Sequence, residues 1–598
     1  MAQSSKIEGM GAMVHAQGVA FRVWAPHAKA VAVVGDFNDW KPEPTPLVHE
    51  ANGYWYGESA QAKAGDEYKF HLTLDEAGKE TVQRVDPYAR QVTNSVGNGI
   101  IYAPDQFEWH DDDFQMPPWN ELVIYEMHVG SFSSKDGNTG NFAGVLARMD
   151  HLTQLGVNCV QLMPVAEFAG DLSWGYNPAH IFAVESAYGG PDELKAFVDA
   201  MHSNGIAVIL DVVYNHFGPS DLDLWQFDGW HENDGGGIYF YNDWRADTPW
   251  GHTRPDYGRE EVRRYIHDNT MMWLNDYRMD GLRFDATVYI RTVKGPGDES
   301  LEEGWKLLQW INKDIAEQHP NKITIAEDLQ SDSTITDEVG AGGAGFGAQW
   351  SATFVHPIRE AVITPDDDAR NIALVAESLR FKYNVDAFER VIYSESHDEV
   401  ANGKARVPHE IFAADAEGWF AQKRSTLAAA LVFTTPGIPM IFQGQEFLQG
   451  EWFRDDAPLE WEHQEEYRSI VHLYHDLIRL RVNRDQYTRG LCGQNIEIFL
   501  QDEESKLLAF HRWDVGGPGD DVVVVANFRS TPFEGIAIHF PAPGAWKLRF
   551  NSDSRHYSEI FEGKYSHDVN AEQQADSSIT ATLNIGPYSV LIYSQDRE

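Results

Sequence analysis

Four segments of the chain place ionisable side chains directly after a run of apolar residues. In chain order they are IAVILDVVYNH with Asp211, Asn215 and His216, DGLRFDA with Arg283 and Asp285, KITIAED with Glu327 and Asp328, and RVIYSESHD with His397 and Asp398. A single carboxylate after a strand is most often an N-cap for the next helix. Acids that meet at one face are costly to bury without partners, so their convergence indicates a function. Two chemistries fit: a metal site with oxygen and nitrogen ligands, or sugar chemistry with paired carboxylates.

Aromatic residues near these segments favour the sugar chemistry. Trp174 and Tyr176 lie in SWGYNPAH, and a Trp in a loop of Gly, Asn and Pro is less readily a core residue than one in a strand. Their flat faces suit sugar rings. No His-rich pair with ligand spacing stands out, and Cys159 and Cys492 cannot build a zinc site or a disulfide framework. We therefore predict no metal and no cofactor, and we place Cys159 in the core.

The elements that must position these residues follow an alternating pattern. Short apolar runs alternate with stretches such as PDELKAFVDAMHSNG, which carry apolar residues at helical spacing. Eight such runs predict eight βα units, and therefore a TIM (β/α)8 barrel with its active site at the carboxyl ends of the strands. The eight runs are LVIYEMHVG, VNCVQLMPV, IAVILDVVYNH, DGLRFDA, KITIAED, GAQWSA, RVIYSESHD and IPMIFQGQE.

The two ends of the chain have a different texture. Residues 1–112 contain short alternating runs separated by Gly, Pro, Asn and Asp, which predicts an N-terminal β-sandwich. Residues 485–598 return to β texture and predict a C-terminal antiparallel β-sandwich. The barrel is thus expected over residues 113–484.

The composition limits the classes of protein to which the chain can belong. With 598 residues, 42% of them hydrophobic, the chain can bury several cores. Its formal net charge of −45 repels the phosphates of nucleic acids, which excludes them as expected partners. That acidity fits either a cationic ligand or, better, a solvated surface. We find no apolar stretch of signal-peptide or membrane-spanning length, so a cytoplasmic location without membrane contact is expected.

The four segments resemble the signature regions of the α-amylase family, glycoside hydrolase family 13. The resemblance rests on DVVYNH (211–216), GLRFDATVY (281–289), AED (326–328) and ESHDEV (395–400), in family order on strands three, four, five and seven. VVGDFNDW also resembles the N-terminal carbohydrate-binding-type sandwich found in part of that family.

The resemblance implies a role for each of three carboxyl groups. Asp285 matches the nucleophile, Glu327 the general acid/base, and Asp398 the third carboxylate, which binds sugar hydroxyls and helps to distort the ring. A retaining mechanism then predicts that the carboxyl groups of Asp285 and Glu327 lie about 5 Å apart. Glu327 must be protonated in the first step, so its pKa should be raised, partly by the neighbouring acids.

The remaining assignments concern substrate binding. By the same resemblance, His216 and His397 match histidines that bind hydroxyls of the sugar preceding the cleaved bond, and Tyr176 matches a stacking tyrosine. Arg283 would hold Asp285 ionised, and Asp211 would support Arg283. Trp174 offers a further flat face.

Water or a sugar hydroxyl can resolve the glycosyl-enzyme, and subfamily features must separate hydrolysis from transfer. SHDEV followed by GK (396–404) resembles α-1,4-glucan branching enzymes, which implies an α-glucan or maltooligosaccharide substrate. AED is closer to maltooligosyltrehalose trehalohydrolases, which makes α-glucan hydrolysis the alternative. A non-catalytic glycan-binding protein would require a missing carboxylate, and all three are present.

Overall fold

The computed structural model describes residues 6–111, 113–135, 137–563 and 566–597. Residue 112, at the predicted end of the N-terminal domain, lies outside them, and the predicted domain boundaries stay predictions. No helix in the described residues has the length and apolar character needed to cross a bilayer.

The N-terminal part of the chain forms two antiparallel sheets, as the alternating runs predicted. One sheet has the order β1-β2-β5-β4, and the other has the order β3-β6-β9-β8, with β7 paired to β6. Alternate side chains of these strands, such as Phe21, Val33 and Phe70, are fully buried between the sheets. The strands are β1 Gly11–His15, β2 Gly18–Trp24, β3 Ala30–Gly35, β4 Val48–His49, β5 Tyr54–Ser59, β6 Glu67–Thr73, β7 Thr81–Arg84, β8 Gln91–Val92 and β9 Gly99–Ile100.

The middle of the chain is a closed barrel of eight parallel strands, and each of the eight predicted runs supplies one strand. The barrel order is β10-β11-β14-β15-β16-β17-β18-β19, closed by pairing of β19 with β10, while β12 and β13 form a separate hairpin. These strands are β10 Ile124–Met127, β11 Cys159–Leu162, β12 Ala166–Phe168, β13 Pro178–Val184, β14 Ala207–Val212, β15 Gly281–Phe284, β16 Ile323–Ala326, β17 Ala348–Trp350, β18 Arg390–Ile392 and β19 Ile438–Phe442.

Every barrel strand is buried on both faces, so apolar side chains pack both outside the strands and in the barrel interior. Ile124, Cys159, Ile209, Ile325 and Met440 belong to one packed cluster of the interior. The prediction that Cys159 is a core residue is confirmed, and both cysteines are free thiols.

Helices surround the barrel and connect successive strands. The α-helices are α1 Val129–Phe132, α2 Phe142–Leu146, α3 Met149–Leu155, α4 Gly190–Ser203, α5 Glu260–Asn275, α6 Val288–Arg291, α7 Glu302–Gln318, α8 Ala352–Ile363, α9 Ile372–Arg380, α10 Val407–Ile411, α11 Trp419–Thr434, α12 Glu462–Glu466 and α13 Arg468–Arg481. Short 3-10 helices occupy Asp36–Asn38, Ala51–Gly53, Pro104–Gln106, Trp119–Glu121, Ser186–Tyr188, Trp244–Ala246, Ser333–Ile335, Val339–Ala341, Asp367–Ala369, Ala387–Glu389, Ala413–Asp415, Gln445–Phe447 and Arg489–Cys492.

The C-terminal part of the chain is all-β and antiparallel. Its strands follow the order β20-β21-β22-β27-β24-β25-β26-β23, and they pack around a core that contains Phe540, Trp546 and Tyr593. They are β20 Asn495–Asp502, β21 Leu507–Trp513, β22 Val522–Asn527, β23 Phe533–His539, β24 Gly544–Asn551, β25 Val569–Gln573, β26 Ile579–Ile585 and β27 Ser589–Ser594. The predicted architecture, a TIM barrel flanked by an N-terminal and a C-terminal β-domain, is confirmed.

One long connection brings the N-terminal domain to the carboxyl face of the barrel. Residues 213–259 link β14 to α5, and their middle part contacts the N-terminal sandwich. The His27 N–H donates to Oδ2 of Asp228 at 2.9 Å, and the His27 ring stacks on Trp230. The N-terminal domain therefore supports a loop that forms part of the candidate site.

Candidate active site

A cavity of about 560 Å³ opens at the carboxyl ends of the barrel strands, where the sequence placed the site. Its wall contains Ser173, Trp174, Tyr176, Asn177, Trp250, Asp285, Ala286, Val288, Tyr289, Pro296, Glu327, Asp328, Leu329, Gln330, His397, Asp398, Asn402 and Asp455. Six of the nine predicted site residues belong to this wall. The other three, Asp211, Arg283 and His216, lie behind it.

Arg283 is the charged centre beneath the cavity floor. Its Nη1 donates to both carboxylate oxygens of Asp211, at 2.9 and 2.7 Å, and to Oδ1 of Asp285 at 3.0 Å. Its Nη2 lies 3.1 Å from Oε2 of Glu327. Burial alone would lower the pKa of Arg283, but the surrounding acids hold it above its usual range. One fully buried cation thus contacts three carboxyl groups, which would be more expensive to bury without it.

Strand register brings these partners together. Asp211 on β14 is paired directly with Arg283 on β15, so both side chains point to the same side of the sheet. The ring of Trp350, at the end of β17, lies 4.3 Å from the guanidinium carbon and covers its face. The arginine is therefore held by both charge and a cation–π contact.

Asp285 projects into the cavity immediately after β15. The Nδ2 of Asn215 donates to Oδ2 of Asp285 at 2.7 Å and to its main-chain oxygen at 2.9 Å. With Arg283 on its other oxygen, the carboxyl group is fixed on both sides. Its side chain keeps 10% exposure, which opens to the cavity.

Glu327 follows β16 and faces the same space. The N–H of Ala286, a residue in the left-handed region with a φ of 41°, donates to Oε2 of Glu327 at 2.7 Å. Burial raises the pKa of Glu327 to about 8; Arg283 opposes this rise, and the charges of Asp285 and Asp398 add to it. The raised pKa expected from the sequence is present. Glu327 is therefore largely protonated at neutral pH and able to donate a proton.

His397 and Asp398 reach the cavity beyond the end of β18. The side chain of Asp398 is 44% exposed, and its Oδ2 lies 3.5 Å from Nε2 of His397. Burial lowers the pKa of His397, but the carboxylates of Asp398 and Glu126 outweigh it and raise the pKa to about 9. A charged imidazole is thus placed beside the most accessible carboxylate of the site.

Tyr176 and Trp174 form an aromatic wall next to His397. The Tyr176 ring stacks on the His397 ring with centroids 5.0 Å apart, and its hydroxyl donates to Oδ2 of Asp211 at 2.6 Å. Trp174 meets His397 edge to face at 5.9 Å and packs on Phe453.

His216 occupies a different position from the other predicted binding residues. It is 2% exposed, and its ring stacks under Trp250 with centroids 4.7 Å apart. Its Nδ1 lies 2.5 Å from Oδ1 of Asn215. The histidine therefore connects the Trp250 loop to the residue that holds Asp285, and its contact with a sugar stays a prediction.

Sequence reasoning missed two contributors to the site. Glu126, in the fully buried strand β10, binds the Nδ1 of His397; a charged residue inside a four-residue apolar strand was the available signal. Trp250 forms part of the cavity wall and contacts Tyr289 edge to face at 5.3 Å. Its neighbours in DTPWGHT are polar or loop-forming, the same signal that identified Trp174.

The fold and the site together define the class of protein: a (β/α)8-barrel enzyme whose cleft presents three carboxyl groups beside aromatic rings. Family models match all three parts of the chain. The model "Alpha amylase, catalytic domain" matches residues 126–248 and 225–489. The model "Carbohydrate-binding module 48 (Isoamylase N-terminal domain)" matches residues 9–89, and "Alpha amylase, C-terminal all-beta domain" matches residues 498–596.

Individual proteins agree with these matches. The 1,4-alpha-glucan branching enzyme GlgB of Pseudoalteromonas atlantica is 31% identical over 572 residues, covering 90% of this chain and 76% of that protein. The enzyme of the same name from Picrophilus torridus is 32% identical, covering 90% and 75%. A pullulanase from an Anoxybacillus species, solved with maltotetraose, superimposes with a TM-score of 0.75 at 21% identity, over 98% of this chain and 88% of that one. The chain belongs to the α-amylase family and is an enzyme of the glycoside hydrolase and transferase class.

Proposed function

We propose that this protein is a 1,4-α-glucan branching enzyme, which cleaves an α-1,4 bond with retention and transfers the released chain to form an α-1,6 branch. The observation that carries the chemistry is the arrangement around Arg283, which contacts both Asp285 and Glu327 at the floor of an open cleft. The proteins named branching enzymes, similar over most of this chain, support transfer rather than hydrolysis.

The first step uses the two carboxyl groups on opposite tasks. Glu327, with its raised pKa, gives its proton to the leaving glycosidic oxygen, while Asp285 attacks the anomeric carbon and forms a glycosyl-enzyme. One guanidinium contacts both groups, Asp285 at 3.0 Å and Glu327 at 3.1 Å, so they face the same part of the cleft; the retaining separation of about 5 Å stays a prediction.

Arg283 and Asn215 prepare Asp285 for this attack. Their hydrogen bonds hold one oxygen each, at 3.0 and 2.7 Å, so that the carboxylate does not have to reorient when it reacts. Attack on the anomeric carbon neutralises the charge of Asp285, and breakage of the glycosyl-enzyme restores it. The fixed guanidinium stabilises these changes of charge without having to reorganise.

Asp398 and His397 bind the sugar whose bond is cleaved. Asp398 is accessible and accepts hydroxyl hydrogen bonds, and the His397 ring is held by Glu126 with its Nε2 toward Asp398. Tyr176 and Trp174 present apolar faces next to this position, which suits the apolar face of a pyranose ring.

In the second step an acceptor hydroxyl replaces the leaving group. Glu327, now ionised, takes the proton of the 6-hydroxyl of a glucan chain, and that oxygen displaces Asp285. The wall formed by Trp250 and Tyr289 extends the cleft beyond the carboxyl groups and gives an acceptor chain a surface to lie on.

Incubation with amylose tests the proposal. A branching enzyme lowers the iodine stain with few new reducing ends and produces α-1,6 anomeric signals in the NMR spectrum. Rapid growth of reducing ends without α-1,6 signals contradicts branching.

The AED segment keeps hydrolysis as a second candidate. Asp328 accepts two hydrogen bonds from Arg291, at 2.9 and 2.7 Å, and forms part of the cleft wall. Release of trehalose from a maltooligosyltrehalose would select a trehalohydrolase, and its absence together with α-1,6 products would exclude one.

A further inference from the structure

A cluster of ligand-type side chains lies on helix α13, and none of them belongs to the cleft wall. Within the described part of the chain, one group of three His, Cys, Asp or Glu side chains brings its ligand atoms within 4.8 Å of one another: His472, His475 and Asp476. The three residues occupy one face of α13 because their spacing is i, i+3 and i+4. The segment HLYHD (472–476) contains this spacing, although the sequence analysis predicted no metal.

We propose that His472, His475 and Asp476 form a binding site for a divalent transition-metal ion such as Zn²⁺. Two imidazole nitrogens and one carboxylate oxygen are the ligands that zinc, copper and nickel accept, whereas calcium and magnesium require oxygen. The two imidazole planes lie 10° apart, with ring centroids separated by 5.4 Å, so both rings extend in the same direction from the helix.

The carboxylate of Asp476 faces a ring nitrogen of each histidine. Its Oδ1 is 3.2 Å from Nδ1 of His475, and its Oδ2 is 3.7 Å from Nε2 of His472. A tetrahedral zinc site with ligand bonds of about 2.0–2.2 Å needs ligand atoms roughly 3.3 Å apart, so small side-chain rotations complete the site.

A tyrosine of the C-terminal domain orients the carboxylate of Asp476. The buried Tyr557, in the segment after β24, donates its hydroxyl hydrogen to Oδ2 of Asp476 at 2.7 Å. This hydrogen bond leaves Oδ1 for the ion, in the manner of the outer partners that orient metal ligands elsewhere. The His556 ring lies 4.9 Å from the His472 ring and is exposed, which offers a fourth ligand from the same segment.

Access and charge favour an ion at this position. The side chains of His472, His475 and Asp476 are 46%, 31% and 27% exposed, so the ion does not need to enter a core. Two of the three arginines on the same helix are ion-paired, Arg468 with Glu465 and Arg479 with Asp485, and the third, Arg481, is fully buried and donates to main-chain oxygens. An ion here would connect α13 of the barrel to the C-terminal domain and should stabilise their contact.

Calorimetric titration of the full chain with Zn²⁺ at pH 7.5 tests the site. We expect one equivalent of Zn²⁺ to bind and a higher melting temperature in its presence. His475→Gln should weaken binding at least tenfold, Tyr557→Phe about tenfold through its orienting role, and His472→Gln with His475→Gln should remove it. The Cu²⁺ form should show hyperfine coupling to two imidazole nitrogens by electron paramagnetic resonance.

His110→Gln is the matched control because His110 forms an exposed pair with Asp199, at 3.1 Å, without a second histidine. It should leave zinc affinity unchanged. All four substitutions are followed by circular dichroism, and the copper spectrum reports the ligands of the unaltered protein. Absence of zinc binding to the wild type, or equal affinity in the wild type and the double variant, would overturn the proposal.

Discussion

Glu126 and His397 join the first and seventh barrel strands through two hydrogen bonds. The Nδ1–H of His397 donates to Oε1 of Glu126 at 2.7 Å, and the main-chain N–H of His397 donates to Oε2 at 2.9 Å. Both side chains are at most 1% exposed. The carboxylate therefore fixes the ring so that Nε2 faces Asp398, and it stabilises the charge on the imidazole.

Glu126→Gln should destabilise the protein in a pH-dependent way. The folded-state pKa of His397, about 9, exceeds the ordinary value of 6.5, so its contribution to stability is complete below pH 6.5 and is lost as the pH rises through 9. We expect a loss of about 2–3 kcal/mol at pH 6.5 and a clearly smaller loss at pH 9.5. Urea unfolding at both values measures it.

Glu395→Gln is the control for this experiment. Glu395 is equally buried, but its partner is Arg406, at 3.0 Å, which stays charged across this range. Its loss should be the same at both pH values. An equal loss at both pH values for Glu126→Gln as well would show that His397 is not charged by this contact.

The eight strands and the charged residues at their carboxyl ends could be predicted because each depends on local pattern, whereas the choice of Asp285, Glu327 and Asp398 among those acids rests on the family resemblance. An apolar run followed by a charged residue specifies a buried strand and its carboxyl end without knowledge of the partners. The role of Glu126 could not be read in this way, since its partner His397 lies 271 residues away. Trp250 is placed by a long loop that rests on another domain, and no periodicity encodes that packing.

Glu399 illustrates the same limit. The segment SHDEV marked it as a subfamily feature, yet its partners are scattered along the chain: Lys404 at 2.7 Å, His356 at 3.2 Å and Arg359 at 3.7 Å. Burial would raise the pKa of Glu399, but the hydrogen bonds of His356 and Lys404 and the charges of Lys404 and Arg359 lower it to about 2. Its carboxylate holds the segment after Asp398 and is absent from the cleft wall.

Asp285→Asn should remove activity while leaving the fold intact. The amide has the same shape but cannot attack the anomeric carbon, so kcat on amylose should fall roughly 10⁴-fold or more. The melting temperature should change little because Asn fills the same space, and circular dichroism checks the fold. Wild-type activity in this variant would refute the assignment of the nucleophile.

Lys423→Met tests an ion pair that lies outside the cleft wall. Lys423 on α11 and Asp553 of the C-terminal domain are 0% and 2% exposed and pair at 2.7 Å. Leaving the buried aspartate without its cation should cost about 3–5 kcal/mol in unfolding free energy. Lys423→Met with Asp553→Asn should recover most of that loss, since no unpaired charge remains.

The contribution of Lys423 to the free energy of unfolding should increase with pH. Burial lowers the pKa of Lys423 to about 8, against the opposing effect of Asp553. Between pH 8 and the unfolded value of about 10.5 the unfolded state binds the extra proton, so this lysine makes stability rise with pH. The single and the double variant should both lack this rise in unfolding free energy between pH 7.5 and pH 9.5. If the rise persists in them, a group other than Lys423 causes it.

The pKa of Glu327 should determine the pH above which kcat/KM declines. Because its pKa is raised to about 8, the protonated form needed for leaving-group departure is lost above that pH, and kcat/KM should fall tenfold per pH unit. Asp398→Asn removes one of the charges that raise this pKa. The residual kcat/KM of this variant should therefore begin to fall at a lower pH than that of the wild type.

α-Glucosyl fluoride separates the role of Glu327 from that of Asp285. Fluoride leaves without protonation, so Glu327→Gln should still form the glycosyl-enzyme from this donor, and azide, which needs no general base, should release it as a glucosyl azide. Asp285→Asn should form no product of retained configuration under the same conditions. Loss of the azide product in Glu327→Gln, with the fold intact by circular dichroism, would show that Glu327 does more than transfer a proton.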